Sequence, residues 1–185
     1  MPRIAPIDPT SADAKAKPLL DAVQAKLGVT PNMMRTMAQS PAVLESYLGF
    51  GGALGKGTLG ARLGELLALD VAEANGCGYC LSAHTYLGTN VAKLSDEQIT
   101  AARSADSEDP KTRAALRFAR QINDGRGHVT DEQVDAVRAA GWGDAAIAEI
   151  VAHVALNVLT NYFNTVAQVE IDFPVVLPAA QRTAA

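Results

Sequence analysis

The sequence predicts an all-α fold, a bundle of helices with no significant β-sheet. Windows containing Ala, Leu and Glu dominate the chain, β-branched alternation is nearly absent, and helix start and stop signals recur along the whole length. A first helix is expected over 12–27, stopped by Gly28. Thr30-Pro31 and Ser40-Pro41 each set a capping side chain before a proline at the first helical position, opening helices over 31–38 and 41–50. Gly51-Gly52 is expected to end the second of these. Segment 59–74 is apolar nearly all round, as a buried helix is, and stops at Asn75-Gly76 before a helix over 77–90. Ser95 with Gln98 and Thr130 with Gln133 have capping-box spacing and open helices over 95–103 and 130–139. Asp109-Pro110 opens 110–124, which Gly125 stops. After Gly141, Asp144 is in position to cap a long final helix over 144–168.

Strand signal is confined to Phe173-Pro174-Val175-Val176, expected to pack as an extended tail. Pro2, Pro6 and Pro9 at one end and 181–185 at the other mark extended arms. The organisation expected is one domain over 1–185 with its core at about 31–170. With 48% hydrophobic residues in 185, such a domain buries a sizeable core without staples. A net charge of −4 and a pI near 5.3 argue against a nucleic-acid partner and supply no basic patch for an anionic membrane. There is no run of 18 apolar residues and no signal-like start, so the chain is expected in the cytoplasm with its thiols reduced. No Gly-x-Gly-x-x-Gly or parallel-sheet pattern is present, and no cofactor is expected.

The chemistry concentrates in Cys77-Gly78-Tyr79-Cys80, with His84 one helical turn beyond. Two thiols three residues apart can close a local disulfide, and their thiolates attack electrophiles. Placed at the start of a helix, they meet unsatisfied N–H groups and the positive end of the dipole, both of which favour the thiolate. At a reference pKa near 8.5, only about 3% of a thiol is ionised at pH 7, so such help matters. Zinc would need four ligands, and no second Cys/His pair is present, so no metal is expected. A purely structural bridge over so short a loop would constrain little chain entropy.

Glu65, Asp70 and Glu73 lie within the apolar helix before the cysteines. Asp70 and Glu73, near its end, are expected to reach solvent or pair with Arg62, whereas Glu65, beside Leu66 and Leu69, is expected to be functional. A free glutamate is a poor base for a thiol, the gap costing about 6 kcal/mol; burial and a relay through His84 would narrow it.

Glu65, Cys77, Tyr79, Cys80 and His84, with Pro31-Asn32 and Ser40-Pro41-Ala42, resemble the carboxymuconolactone decarboxylase superfamily. Within it the pattern is similar to the alkylhydroperoxidase D (AhpD) branch and its peroxidase-related members. The resemblance implies an AhpD-like helical bundle that assembles into homo-trimers or hexamers. It also implies reduction of a small organic hydroperoxide by the Cys77–Cys80 pair, with an external dithiol as reductant. By analogy Cys80 becomes the sulfenic acid, Cys77 resolves it, and Glu65 with His84 relays protons. The sequence departs from the best-studied AhpD proteins at Tyr79, where they carry histidine. A tyrosine donates a hydrogen bond but does not shuttle protons at neutral pH.

In the final helix, His153, Asn157, Asn161 and Asn164 form one polar stripe on an apolar segment. It marks either a wet face or a face turned to the cysteines or a partner subunit. His153, Asn157 and Asn161 are accordingly possible accessory residues, with Tyr79. His128 reads as an exposed turn residue and Trp142 as an anchor between glycines. Met33, Met34 and Leu87 would suit an apolar substrate. Two other readings stay open: a lactone decarboxylase or isomerase using Glu65 and His84 with the cysteines incidental, and a non-enzymatic thiol redox sensor.

Overall fold

The computed structural model describes residues 1–182; residues 183–185 of the expected C-terminal arm lie outside it. Among the described residues ten helices follow in order: α1 (Ala16–Leu27), α2 (Asn32–Met37), α3 (Pro41–Leu54), α4 (Gly60–Ala74), α5 (Gly78–Asn90), α6 (Asp96–Ala102), α7 (Pro110–Asp124), α8 (Asp131–Ala139), α9 (Asp144–Ala167) and α10 (Ala179–Arg182). No strand occurs among the described residues. The all-α expectation holds.

At the centre is α4, buried from Leu66 through Ala72 and packed against α5, α7 and α9. Both capping boxes form, Ser95 accepting from the Gln98 N–H and Thr130 from the Gln133 N–H. Asp109 caps α7 by accepting from the Thr112 N–H at 2.8 Å. Trp142 anchors the α8–α9 turn, donating from Nε1 to the Lys111 carbonyl at 2.9 Å with the Lys111 ammonium 4.3 Å over its ring. His128 is exposed, as the sequence indicates.

Several boundaries differ from expectation. α1 begins at Ala16, because Asp13 folds back to accept the Lys15 and Ala16 N–H groups and spends the preceding residues on a turn. α3 runs through Gly51-Gly52 to Leu54 instead of stopping there. Gly51 faces α9, where an added Cβ would meet Leu156 at an ordinary contact distance of 3.8 Å, and neither glycine takes the positive φ that would end the helix. Thr30 caps nothing, since its hydroxyl donates to Gln24, and the Asn32 N–H goes to Asp172 at 2.7 Å. The N-cap of α9 is Gly143; Asp144 is its first helical residue and binds Arg138 at 2.9 Å.

Arg62 pairs with none of the three α4 carboxylates. It is used up on the Ala92 and Lys93 carbonyls and on Gln98. Asp70 is fully buried and meets Arg120 at 2.6 Å; Glu73 meets Arg103 at 2.7 Å. Burial pushes the Asp70 carboxyl up to about 7 against the opposing pull of Arg120.

By length and composition, α9 is apolar enough to cross a membrane. Here it packs against α3, α4, α5 and α7 and turns buried Asn157, Asn161 and Asn164 inward, as a core helix does. The N-terminal arm is tied to both ends of this core, Arg3 N–H donating to the Ala167 carbonyl and Ile7 N–H to that of Arg35.

Candidate active site

Cys77 and Cys80 stand at the head of α5 because the chain reverses sharply before them. Gly76 takes a φ of +68°, which side chains rarely adopt, and Cys77 then becomes the N-cap. From there its Sγ accepts the Cys80 N–H at 3.2 Å, the place an Asp or Ser oxygen fills in an ordinary cap. The two sulfurs form a disulfide, and both cysteines are buried. The first-turn N–H that the sequence assigns to the pair thus serves Cys77. Cys80 has another donor: Asn164 Nδ2, on α9, lies 3.2 Å from Cys80 Sγ and 3.2 Å from Met33 Sδ. The Asn164 Oδ1 is buried without a hydrogen-bond partner.

The α4–α5 hairpin sets Glu65 against His84, with Oε2 2.8 Å from Nδ1. A carboxylate only accepts, so its partner Nδ1 carries the proton and Nε2 is the basic nitrogen. Their side chains are 22% and 24% exposed, so the pair opens onto cavities and is not sealed in the core. One cavity, of about 500 Å³, is lined by Cys80, His84, Asn164, Met33, Met34 and Leu87 among others. The three apolar residues named from the sequence all reach it. A second, of about 250 Å³, is lined by Glu65, His84, Tyr47 and His153. His84 and Tyr47 border both. Burial, and then Glu65, push the Tyr47 phenol up to about 12, so it is a proton donor only.

Tyr79 is turned to structural work. Its hydroxyl accepts the Met33 N–H at 3.1 Å, and its ring meets Phe173 edge-on at 5.8 Å. Burial raises its pKa far above the usual range. The stripe on α9 faces inward, which excludes the wet-face alternative. Asn157 donates to the His153 carbonyl at 2.8 Å, and Asn161 accepts from Asn75 at 3.0 Å, itself paired with Asn123. Neither touches a cysteine. His153 is half-buried beside Gly64, and burial lowers its pKa against the pull of Glu149 and Glu65. Asn164 and Tyr47 are the site residues that sequence reasoning did not select. The α9 stripe contained the signal for Asn164; nothing marked Tyr47. Among the described residues, no group of three or more His, Cys, Asp or Glu is placed to hold a metal.

Residues 41–121, which carry Glu65, both cysteines and His84, match the model of the carboxymuconolactone decarboxylase family. That stretch resembles the family, and the chain as a whole has an AhpD-like fold. It is similar to the AhpD core of a peroxidase-related protein from Ralstonia eutropha JMP134, with a TM-score of 0.82 at 23% identity over 92% of each chain. A peroxidase-related protein from Silicibacter sp. TM1040 superposes with a TM-score of 0.76 at 22% identity, over 90% of this chain and 91% of that one. A variant of the debrominase Bmp8, solved with 2,3,4-tribromopyrrole, gives 0.78 at 23% identity, over 97% and 94%. No curated protein matches the sequence. Members of the superfamily are enzymes, and at these identities the likeness concerns the fold.

Proposed function

We propose that the chain is a thiol-dependent reductase of small organic hydroperoxides. One observation carries this reading: the Cys80 sulfur borders an apolar cavity together with the His84 of a Glu65–His84 pair, and receives an N–H from Asn164. In the reduced protein His84 Nε2 takes the Cys80 thiol proton, and the thiolate so formed attacks the distal oxygen of the hydroperoxide. The O–O bond breaks, and the departing alkoxide takes a proton from His84, whose charge Glu65 balances. Cys80 is left as sulfenic acid. The Cys77 thiolate attacks its sulfur, the disulfide closes, and water leaves. An external dithiol returns two electrons and two protons. The reading places the chain in a reducing compartment, the cytoplasm, as a homo-oligomer; the exposed Val151, Leu159, Tyr162 and Val166 of α9 support assembly.

Reduced protein with a slight excess of cumene hydroperoxide tests this. Intact mass and free thiols are followed together, with Cys77→Ser and Cys80→Ser in parallel. The expected result is rapid loss of two hydrogens in the natural protein and a trapped sulfenic acid only where Cys80 remains. Oxidation no faster than that of a free thiol refutes the reading.

The debrominase likeness supports a second reading of the same sulfur. The aromatic walls of the cavity, Tyr47, Tyr79, Tyr86 and Phe173, suit a flat halogenated ring. Thiolate attack on bromine, protonation of the ring carbon, and displacement of bromide by Cys77 would end at the same disulfide. Bromide release from 2,3,4-tribromopyrrole without peroxide consumption would favour it.

A further inference from the structure

The two sulfurs open on different surfaces. Cys80 borders the 500 Å³ cavity and Cys77 does not; Cys77 borders a separate groove of about 280 Å³ and Cys80 does not. Tyr79 and Asn164 line both and form the wall between them. The groove is roofed by the C-terminal segment, which returns across the head of α5. Val176 exchanges hydrogen bonds with the Ser82 hydroxyl, and Arg103 holds the Leu177 carbonyl at 3.1 Å. The Ala179 N–H donates to Glu73 Oε1 at 2.7 Å, and Gln181 Nε2 to the Gly76 carbonyl at 2.8 Å. At Gly78 an added Cβ would lie 3.5 Å from Leu177 and 3.6 Å from Gln181, so the strap lies directly on the first residue of α5. Cys77 is 2% exposed beneath it.

Resting on the redox reading above, we propose that the reductant enters from this face. A dithiol attacks Cys77 in the groove, and the strap over 176–181 gates its approach. The reductant thiolate bonds to Cys77 Sγ, the Cys77–Cys80 bond breaks, and Cys80 leaves as thiolate against Asn164 Nδ2. The reductant's second thiol, losing its proton, then attacks its own sulfur in the mixed disulfide and releases Cys77. The partner dithiol becomes a disulfide, and its two protons end on the protein thiols. Both protein sulfurs have an N–H donor, Cys77 from the Cys80 backbone and Cys80 from Asn164, so leaving-group stabilisation does not choose between them. Access does: attack on Cys80 would have to come through the substrate cavity. Oxidant and reductant in separate cavities can then act without displacing one another.

This step can be isolated from peroxide chemistry by forming the disulfide with diamide. Glutathione is added to the oxidised protein, the released thiol is capped with N-ethylmaleimide, and peptides are mapped. The expected product carries glutathione on Cys77 and the cap on Cys80; the reverse pattern overturns the proposal. Ala179→Pro with Gln181→Ala removes two clips of the strap, proline being accepted at the first position of a helix. Glutathione should then open the disulfide at least about fivefold faster, while oxidation of the reduced protein by cumene hydroperoxide keeps its rate. An unchanged rate of opening in a folded variant refutes the gate. A chain that passes both tests yet turns over no hydroperoxide would sink the substrate reading and leave this one standing.

Discussion

Replacing Asn164 by alanine isolates the one side-chain donor on the Cys80 sulfur. Asn164 Nδ2 lies 3.2 Å from Cys80 Sγ, and both residues are buried. A hydrogen bond to a charged group contributes about 1.5–3 kcal/mol. Here the acceptor is a diffuse sulfur and the same nitrogen also faces Met33 Sδ, so the lower end applies. About 1.4 kcal/mol corresponds to one pKa unit. The Cys80 thiol of the reduced protein is therefore expected to titrate about one unit higher in Asn164→Ala. Below both pKa values that lowers the thiolate population about tenfold, but a more basic thiolate is also more nucleophilic. With a Brønsted coefficient of about 0.4–0.5 the gain is close to threefold, so the attack on hydroperoxide should slow only about three- to fourfold. The pKa is read from thiolate absorbance against pH in a Cys77→Ser background, and the rate from stopped-flow with cumene hydroperoxide. A pKa within about 0.2 units of the parent, in a variant with native helicity, would refute the assignment.

Glu65→Gln keeps an acceptor for His84 Nδ1 but removes the charge, and should lower the peroxide rate constant about ten- to a hundredfold while leaving the melting temperature nearly unchanged. Tyr79→Phe deprives the Met33 N–H of its acceptor and should cost about 1–3 kcal/mol in denaturant unfolding, with the Cys80 oxidation rate preserved. Loss of that rate in folded protein would put Tyr79 in the chemistry instead. Asp70 is raised from 3.8 to about 7 in the folded state, so the folded protein holds that proton more tightly than the unfolded chain. The stabilisation is complete below pH 3.8 and is lost as pH rises to about 7, by at most about 4 kcal/mol. Subtracting the stability profile of Asp70→Asn should expose that slope; a flat difference between pH 4 and 7 would show that Arg120 keeps Asp70 ionised throughout.

What could be read from the sequence is what local spacing determines. Capping boxes, Asn75-Gly76 before the cysteines, and the positions of Glu65 and His84 on consecutive helices all act within a few residues or one hairpin. The contacts that complete the site join distant segments. Asn164 and Cys80 are 84 positions apart, Arg120 and Asp70 are 50, and Ala179 and Glu73 are 106. No periodicity announces such pairs. Glu73 shows the consequence: local context suggested a solvent-facing carboxylate, whereas it joins Arg103 to the returning C-terminal strap. Before α10 the strap is held by the side chains of Ser82 and Arg103 and not by a backbone ladder, so no strand pattern marks it.

The long helix α9 poses the question of what fixes its rotation. Its outward side carries Val151, Leu159, Tyr162 and Val166, between 42% and 62% exposed, while Asn157, Asn161 and Asn164 are buried. Apolar side chains lie on both sides, Ala146, Ile150, Val154 and Ala167 being buried, so apolar burial alone does not select this rotation. The amides do. Asn161 meets Asn75 in the turn before Cys77, and Asn164 meets Cys80 just beyond it. A slip of one residue turns the helix by about 100° and would carry both away together. Each stranded amide would then cost about 1–3 kcal/mol. The contact that aligns Asn164 with the reactive sulfur is thus secured by its neighbour three residues earlier. The apolar side left outside is the remaining cost of that rotation, one that a second copy of the chain packed on α9 would offset.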